Sequence, residues 1–205
     1  MFKKEGCEKM FDYVHDTQII FRKLVDGMSR PGTVGLLQNQ VSKLKQIPVF
    51  YRPLAGIAFT LVDREVSFHV VGEPSKELED LIQSYTLAQV KDLDQADYIF
   101  ITSQASKENI EHVIQQAKIG TLRSPEHSAT IILETSIAAN GNLLMEGPGI
   151  ESSISITAGH TDVLYQSRIN KNSEYPLGLD FILIDEQAQI VCIPRTTNLK
   201  LNEVS

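Results

Sequence analysis

The chain has 205 residues, of which 42% are hydrophobic, which is enough for one full core and too little to require a second domain. We therefore expect residues 1–205 to form a single domain. The formal net charge of -7 disfavours nonspecific attraction to nucleic acid or to an anionic membrane surface. The chain contains no apolar run of about 18 residues and no apolar segment of a signal peptide, so we expect a cytoplasmic, soluble protein.

The residues that commonly bind metals are few and scattered. Cys7 and Cys192 lie near opposite ends of the chain, and Cys192 stands in an apolar run, where a free cysteine behaves as a small hydrophobe. His160 and Asp162 are close in sequence, but a tetrahedral zinc site needs three or four ligands. The sequence therefore predicts no bound metal and no cofactor.

The N-terminal part of the chain predicts three helices and two strands. Thr17 is a predicted N-cap for a first helix that Pro31 and Gly32 end. Residues 34–37 predict a short strand at a sheet edge, residues 55–61 fit a helix better than a strand, and residues 66–70 alternate as a strand does. Ser75 is predicted to cap the third helix. The apolar side chains predicted to face the core are Ile20, Phe21, Leu24, Val25 and Met28 in the first helix, and Leu78, Leu81, Ile82 and Tyr85 in the third.

The C-terminal part predicts further alternation of strands and helices. Residues 98–102 predict a strand, followed by a helix that Ser106 caps and Gly120 ends. Residues 129–133 and 143–145 predict strands, and residues 162–170 a short helix. Two apolar runs, ending at Ile184 and Ile193, predict adjacent strands buried on both faces. The pattern indicates an α/β fold with a mixed, mostly parallel sheet and helices on both faces.

A polar cluster follows the last predicted strand. Pro194 ends that strand, and Arg195, Thr196 and Thr197 come next. Because ligands collect at strand ends in α/β sheets, the guanidinium and the two hydroxyls could hold a phosphate or a carboxylate. Arg195 could equally be a structural arginine that satisfies buried carbonyls or pairs with Asp180.

Three further motifs have both a functional and a structural interpretation. Gly147-Pro148-Gly149 could present N–H groups to a phosphate, although a tight turn after a strand is the favoured interpretation. Arg22 could face a cleft, although solvent is favoured. Glu126 and His127 could serve acid–base chemistry, but a solvated loop is the favoured account.

Several motifs occur in one order along the chain and together resemble the PhnH family. The resemblance extends from residue 11 to residue 200 and is weakest between residues 34 and 91. The motifs that carry it are Phe21-Arg22-Lys23-Leu24, Met28-Ser29-Arg30-Pro31-Gly32, Gly120-Thr121, Ser124-Pro125-Glu126, Ala129-Thr130-Ile131-Ile132, Gly147-Pro148-Gly149-Ile150, Tyr175-Pro176-Leu177-Gly178-Leu179-Asp180 and Ile193-Pro194-Arg195-Thr196-Thr197.

Membership of this family implies a subunit of the bacterial carbon-phosphorus lyase core complex, which serves organic phosphonate catabolism. With the other core subunits, such a protein takes part in forming alpha-D-ribose 1-methylphosphonate 5-triphosphate from ATP and methylphosphonate. The resemblance also implies a homodimer in isolation. It implies a fold that resembles the large domain of PLP-dependent transferases, without bound PLP.

Two functional hypotheses remain open at this point. In the favoured one, the chain is an assembly or accessory subunit that is not catalytic alone, because no complete catalytic constellation is recognisable. The residues Asp180, Arg195, Thr196 and Thr197 are then fold or interface residues.

In the alternative hypothesis, the chain has its own anion site and contributes directly to the transfer. Arg22 and Arg195 would hold phosphonate or nucleotide oxygens, and Glu126 or His127 would move protons. The predicted ligand-binding residues are Arg22, Asp180, Arg195, Thr196 and Thr197.

Overall fold

The computed structural model describes residues 10–201, so Cys7 lies outside the described residues. Among these residues no helix is both long enough and apolar enough to cross a bilayer. The helices are α1 (His15–Ser29), α2 (Gln38–Val41), α3 (Arg52–Leu61), α4 (Ser75–Thr86), α5 (Lys107–Gln116) and α6 (Thr161–Lys171). The strands are β1 (Gly35–Leu36), β2 (Ser67–Val71), β3 (Gln89–Val90), β4 (Tyr98–Ile101), β5 (Thr130–Glu134), β6 (Ile137–Glu146), β7 (Ile154–Ala158), β8 (Asp180–Ile184), β9 (Gln189–Ile193) and β10 (Asn198–Leu201).

The main sheet has seven strands in the order β1-β9-β8-β5-β4-β2-β3. Strands β8, β5, β4, β2 and β3 are parallel to one another, whereas β9 runs antiparallel to β8 and β1 runs antiparallel to β9. The predicted α/β class with a mixed, mostly parallel sheet is therefore confirmed. Strands β10, β6 and β7 form a second, antiparallel sheet that the sequence did not predict as a unit.

The main sheet divides the hydrophobic core into two layers. One layer contains the buried faces of α1, α2, α3 and α4, and the other contains those of α5 and α6 together with the small sheet. Successive strand residues point to opposite faces, so Phe100 joins the first layer while Ile99 and Ile101 join the second. This explains why the central strands are continuous apolar runs, with helices on both faces as predicted.

Several predicted helices are confirmed, with one error at a helix end. The Ser106 hydroxyl caps α5 by accepting a hydrogen bond from the Asn109 backbone N–H at 3.2 Å. Residues 55–61 belong to α3, and residues 162–170 belong to α6. However, α5 ends at Gln116, so Gly120 lies beyond the helix and does not end it.

The predicted caps of α1 and α4 are wrong. Helix α1 begins at His15, before Thr17, because the Asp12 carboxylate accepts hydrogen bonds from the backbone N–H groups of Val14 (2.9 Å) and His15 (3.0 Å). The Thr17 hydroxyl instead donates to a carbonyl of the preceding turn. Ser75 is the first helical residue of α4, and its side chain makes no capping hydrogen bond.

The buried face of α1 is narrower than predicted. Ile20 and Leu24 are buried, but Phe21 and Val25 are 50% and 51% exposed. At Gly27 the helix lies so close to β9 that a Cβ atom would be 2.9 Å from the sulfur of Cys192. Contact with the sheet through this glycine leaves the flanking positions outside the interface. Tyr85 of α4, also predicted to be inward, is 46% exposed.

The Gly147-Pro148-Gly149 motif forms the turn after β6, as the favoured interpretation predicted. Gly149 has a φ of +82°, and a Cβ atom there would lie 2.2 Å from the carbonyl oxygen of Ser29 at the end of α1. This close approach joins two of the motifs that carry the family resemblance. The glycine is required for both its backbone conformation and its lack of a side chain.

We predict that Gly149→Ala lowers the free energy of unfolding by about 2–4 kcal/mol, because it adds backbone strain and an overlap with backbone atoms. Urea denaturation measures this loss. Pro148→Ala is the matched control, because Pro148 is exposed in the same turn, and it should change stability by less than about 0.5 kcal/mol. Equal stability of the two variants would contradict the close packing of this turn.

Candidate functional site

The direction of β9 decides where the predicted Arg195 cluster lies. Because β9 runs antiparallel to β8, the residues after it are next to the start of β8, and Ile193 is paired with Phe181. Arg195 therefore lies at the amino edge of the parallel strands. Ligands of open α/β sheets bind at the opposite edge, outside the carboxyl ends of the strands.

Arg195 is bound by the protein itself at this amino edge. Its Nε donates to Asp180 Oδ2 at 3.1 Å, and its Nη2 donates to Asp180 and to the hydroxyl of Ser128. Its Nη1 donates to the carbonyl oxygens of Pro125 (2.8 Å) and Pro176 (3.4 Å). The Arg195 backbone N–H also donates to Asp180 Oδ1 at 2.7 Å. These contacts occupy all five N–H donors of the guanidinium.

The two threonines of the cluster belong to a tight turn. Thr197 is buried, its backbone N–H donates to Pro194 O at 2.9 Å, and no described residue accepts or donates a hydrogen bond at its hydroxyl. Thr196 is half-buried in the same turn. Arg168 of α6, which the sequence did not single out, donates to Thr197 O at 2.8 Å and to Pro194 O. Burial lowers the pKa of Arg168 to about 10.

The other predicted site residues are not joined to this cluster. Arg22 is exposed on α1, and no described residue forms a hydrogen bond or an ion pair with it. Glu126 and His127 lie on a 3-10 turn with their side chains exposed and 3.7 Å apart. The ion pair and the carbonyl contacts of a structural Arg195 are therefore present, while the ligand-binding role of these residues stays a prediction.

The carboxyl edge of the parallel strands contains a cavity of about 630 Å³. The turns after β2, β4, β5 and β8 form one side, and a 3-10 turn before α3 forms the other. A smaller cavity of about 270 Å³ adjoins it around Ser103, Glu134 and Glu186. The residues that line the larger cavity are Val49, Phe50, Tyr51, Pro53, Glu73, Pro74, Thr102, Ser103, Gln104, Glu134, Glu186 and Gln187.

The pKa of Glu134, a carboxylate that lines this cavity, is raised by its surroundings. It is half-buried at the end of β5 and accepts a hydrogen bond from the Ser103 backbone N–H at 3.0 Å. Burial raises the pKa of Glu134 above its usual value, and the neighbouring charge of Glu186 raises it further. Among residues 10–201 no three His, Cys, Asp or Glu side chains are grouped so that they could hold a metal ion.

Sequence reasoning missed this cavity, although the chain carries a signal for it. Thr102 directly follows β4, Glu134 is the last residue of β5, and Asp185 directly follows β8. Each is the first polar residue after a buried apolar run. Because the carboxyl ends of parallel strands share one edge, these residues could have been grouped as a site.

We predict that Glu134→Gln raises the melting temperature of the chain at pH 7. Since the pKa of Glu134 is raised in the folded state, its contribution to stability is present below the ordinary pKa of 4.5 and is lost as pH rises through the folded value. The uncharged amide avoids this loss, so the gain should shrink as pH falls toward 4.5. Calorimetry at pH 7 and near pH 4.5 measures the melting temperatures of the wild type and of Glu134→Gln, and the exposed Glu151→Gln is the control. If the melting temperature of Glu134→Gln at pH 7 were unchanged or lower, the partly buried charge of Glu134 would not be destabilising at that pH, and the prediction would be wrong.

Comparison with known proteins identifies the family. The model of the bacterial phosphonate metabolism protein family (PhnH) matches residues 9–200. The alpha-D-ribose 1-methylphosphonate 5-triphosphate synthase subunit PhnH of Rhizobium meliloti (strain 1021) is 29% identical over 194 residues, which cover 92% of each chain. A protein of Stutzerimonas stutzeri, provisionally named C-P lyase subunit protein HtxG, is 31% identical over 86 residues, 41% of this chain and 44% of that protein. Because the family match spans nearly the whole sequence, the chain belongs to the PhnH family, as its motifs indicated.

Proposed function

We propose that this chain is a subunit of the carbon-phosphorus lyase core complex in organic phosphonate catabolism. In that role it takes part in forming alpha-D-ribose 1-methylphosphonate 5-triphosphate from ATP and methylphosphonate. The observation that carries this proposal is the match over 92% of both chains with a relative named as a subunit of that synthase. The name of the second relative, a C-P lyase subunit, supports the same system.

Within that complex we propose an assembly or accessory role. The contacts of Arg195 support it, because every donor of the guanidinium is already satisfied by the protein. An anion bound there would have to displace Asp180 and would leave that carboxylate without its partner. The cluster is thus better suited to holding the amino edge together than to exchanging ligands.

The exposed apolar surface of α1 supports the proposal that the chain binds protein partners. Val14, the N-cap residue of α1, is 73% exposed, and Phe21 and Val25 within the helix are 50% and 51% exposed. Their spacing of seven and four residues places the three side chains on one side of α1. Apolar groups exposed in a row are typical of interaction surfaces. The partners we propose are the other core subunits in the complex and a second copy of this chain in the isolated protein.

We also propose that the fold corresponds to the large domain of PLP-dependent transferases, that the chain is one domain without PLP, and that it acts in the cytoplasm. The mostly parallel sheet with helices on both faces supports the first point. The proposal of a single domain is supported because side chains of the main sheet and of the small sheet share one core layer. The proposed absence of PLP is supported by Lys118, because PLP binds to a lysine as a Schiff base. The ammonium group of Lys118 is instead paired with Asp97 at 2.5 Å, and Lys118 does not line the carboxyl-edge cavity.

Co-expression with the other core subunits of its system should yield a stable hetero-complex in native mass spectrometry. Phe21→Glu should weaken assembly by at least about tenfold, because it places a charge in an apolar contact. Since Phe21 is exposed, the variant should still fold. Leu122→Glu, at an exposed position outside α1, is the control and should assemble normally.

Two results would contradict these points separately. A chain that stays free of every partner under co-expression would overturn the subunit role. Normal assembly of Phe21→Glu in a complex that does form would overturn only the contact through α1.

The structural role of Arg195 predicts strong coupling with Asp180. In a double-mutant cycle on unfolding free energies, Arg195→Ala alone should cost on the order of 3 kcal/mol, because it leaves a partly buried carboxylate unpaired. The coupling energy with Asp180→Ala should exceed about 1 kcal/mol. The exposed pair of Lys76 and Asp80, 2.9 Å apart on α4, is the control and should couple far more weakly, because solvent screens it.

An uncoupled Asp180–Arg195 pair would contradict the structural role. The anion-site alternative would instead be supported by binding of ATP or methylphosphonate to the isolated chain that Arg195→Ala abolishes without loss of fold. Calorimetric titration of the folded variant makes that comparison.

A further inference from the structure

The carboxyl-edge cavity has the dimensions and the position of a small-molecule site. Its volume of about 630 Å³ falls within the range of roughly 300–1,000 Å³ that is typical of ligand pockets. It lies outside the carboxyl ends of β2, β4, β5 and β8, where open α/β sheets bind ligands.

The charges around the cavity exclude anionic ligands. Glu73, Glu134 and Glu186 contribute to its lining, and the described residues that line it include no lysine, arginine or histidine. The described part of the chain offers Glu134 one backbone N–H and no cation. A phosphate, a phosphonate or a carboxylate would therefore be repelled at this edge of the sheet.

The opposite wall of the cavity is apolar and aromatic. Val49 and Phe50, which are 71% and 60% exposed, are neighbours in the chain and both line the cavity, so they give it an apolar surface. The Phe50 ring lies against the Tyr51 ring with centroids 4.2 Å apart, so its position is supported from behind. Pro53 of α3 and Pro74 of the turn after β2 add rigid apolar surface to the cavity lining.

A carboxylate facing an aromatic wall matches an organic cation with a carbon stem. The cationic head satisfies the carboxylate, and the stem and the head both gain from contact with an aromatic face. A metal ion is a poorer match, because the described carboxylates are not grouped closely enough to coordinate one. We propose that the carboxyl-edge cavity binds an alkylammonium group, with Glu134 as its counter-ion and Phe50 packed against its carbon stem.

This chemistry has two sources, a free alkylamine or the side chain of a lysine from another subunit. Both present a primary ammonium on a flexible apolar stem. The affinity of the cavity for an alkylammonium group does not depend on the proposed function, because the isolated chain is tested and no phosphonate takes part.

The test is calorimetric titration of the full chain with n-pentylammonium chloride, an analogue of both sources. Saturable binding is expected to the wild type, and Glu134→Gln should weaken it on the order of tenfold by removing the charge. The amide oxygen can still accept the Ser103 N–H, so the variant should keep its fold. Glu151→Gln, an exposed carboxylate outside the cavity, is the control and should bind as the wild type does.

Two further comparisons separate the head from the stem. Pentan-1-ol and hexanoate, which have the same pentyl stem without the positive charge, should bind at least about tenfold more weakly. Phe50→Ala should weaken pentylammonium binding several-fold, whereas Leu122→Ala, at a similarly exposed apolar position outside the cavity, should not. Amide resonances of Ser103 and Gln104 should shift on titration, while those of Gln115 on the outer face of α5 should not.

Either of two results would overturn the proposal. One is no saturable binding of pentylammonium to the wild type, and the other is binding that Glu134→Gln leaves unchanged. Repeating the titration on the assembled hetero-complex distinguishes the sources. A cavity filled by a lysine of a partner subunit no longer takes the probe, whereas a site for free amines still does.

Discussion

The reversal of the chain between β8 and β9 is the constraint on which the rest of the sheet depends. The buried carboxylate of Asp185 accepts hydrogen bonds from the backbone and the side chain of Gln189, both at 2.8 Å, and Ala188 adopts a φ of 59°. This hairpin makes β9 the antiparallel neighbour of β8. The Pro194 turn is thereby carried back to the amino edge, while the polar ends of the parallel strands gather at the other edge.

Two arginines then hold that turn in place. Arg195 links it to the start of β8 through Asp180 and to the loop before β5 through Ser128 and Pro125. Arg168 reaches the same turn from α6 and donates hydrogen bonds to two of its carbonyls, and no carboxylate among residues 10–201 forms an ion pair with it. Buried charges are costly unless their donors are satisfied, and carbonyl oxygens accept hydrogen bonds from both Nη atoms of Arg168, whereas its buried Nε has no partner among the described residues. The motif of residues 193–197 therefore has a structural reason to occur as one unit.

The sequence was sufficient for features that depend on local pattern and was insufficient for those that depend on pairing. Ser106 predicts its helix because a cap acts within one turn, and the apolar runs ending at Ile184 and Ile193 predict adjacent strands because both faces are buried. The small sheet escaped prediction because β10 pairs with β6 across more than fifty residues, and β6 itself is interrupted where its register shifts between Ala139 and Leu143.

The site was harder to predict than the fold, because it depends on strand direction. Pro194 and Arg195 follow an apolar strand, just as Glu134 ends one, and nothing local distinguishes the two strand ends. Only the antiparallel pairing of β9 places one group at the amino edge and the other at the carboxyl edge. The sequence therefore predicted a ligand site at the Arg195 cluster, although open α/β sheets bind ligands at the opposite edge, outside the carboxyl ends of the strands.

The two edges have opposite chemistry, and this bears on how such a chain serves a reaction of anions. At the amino edge the positive charge of Arg195 is paired with Asp180, and Arg195 also donates hydrogen bonds to carbonyl oxygens. At the carboxyl edge the carboxylates of Glu134 and Glu186 lack basic partners among the described residues. With a net charge of -7, the chain repels phosphonate and triphosphate as a whole. In the proposed complex, an acidic subunit is well suited to bind basic surfaces of the other subunits.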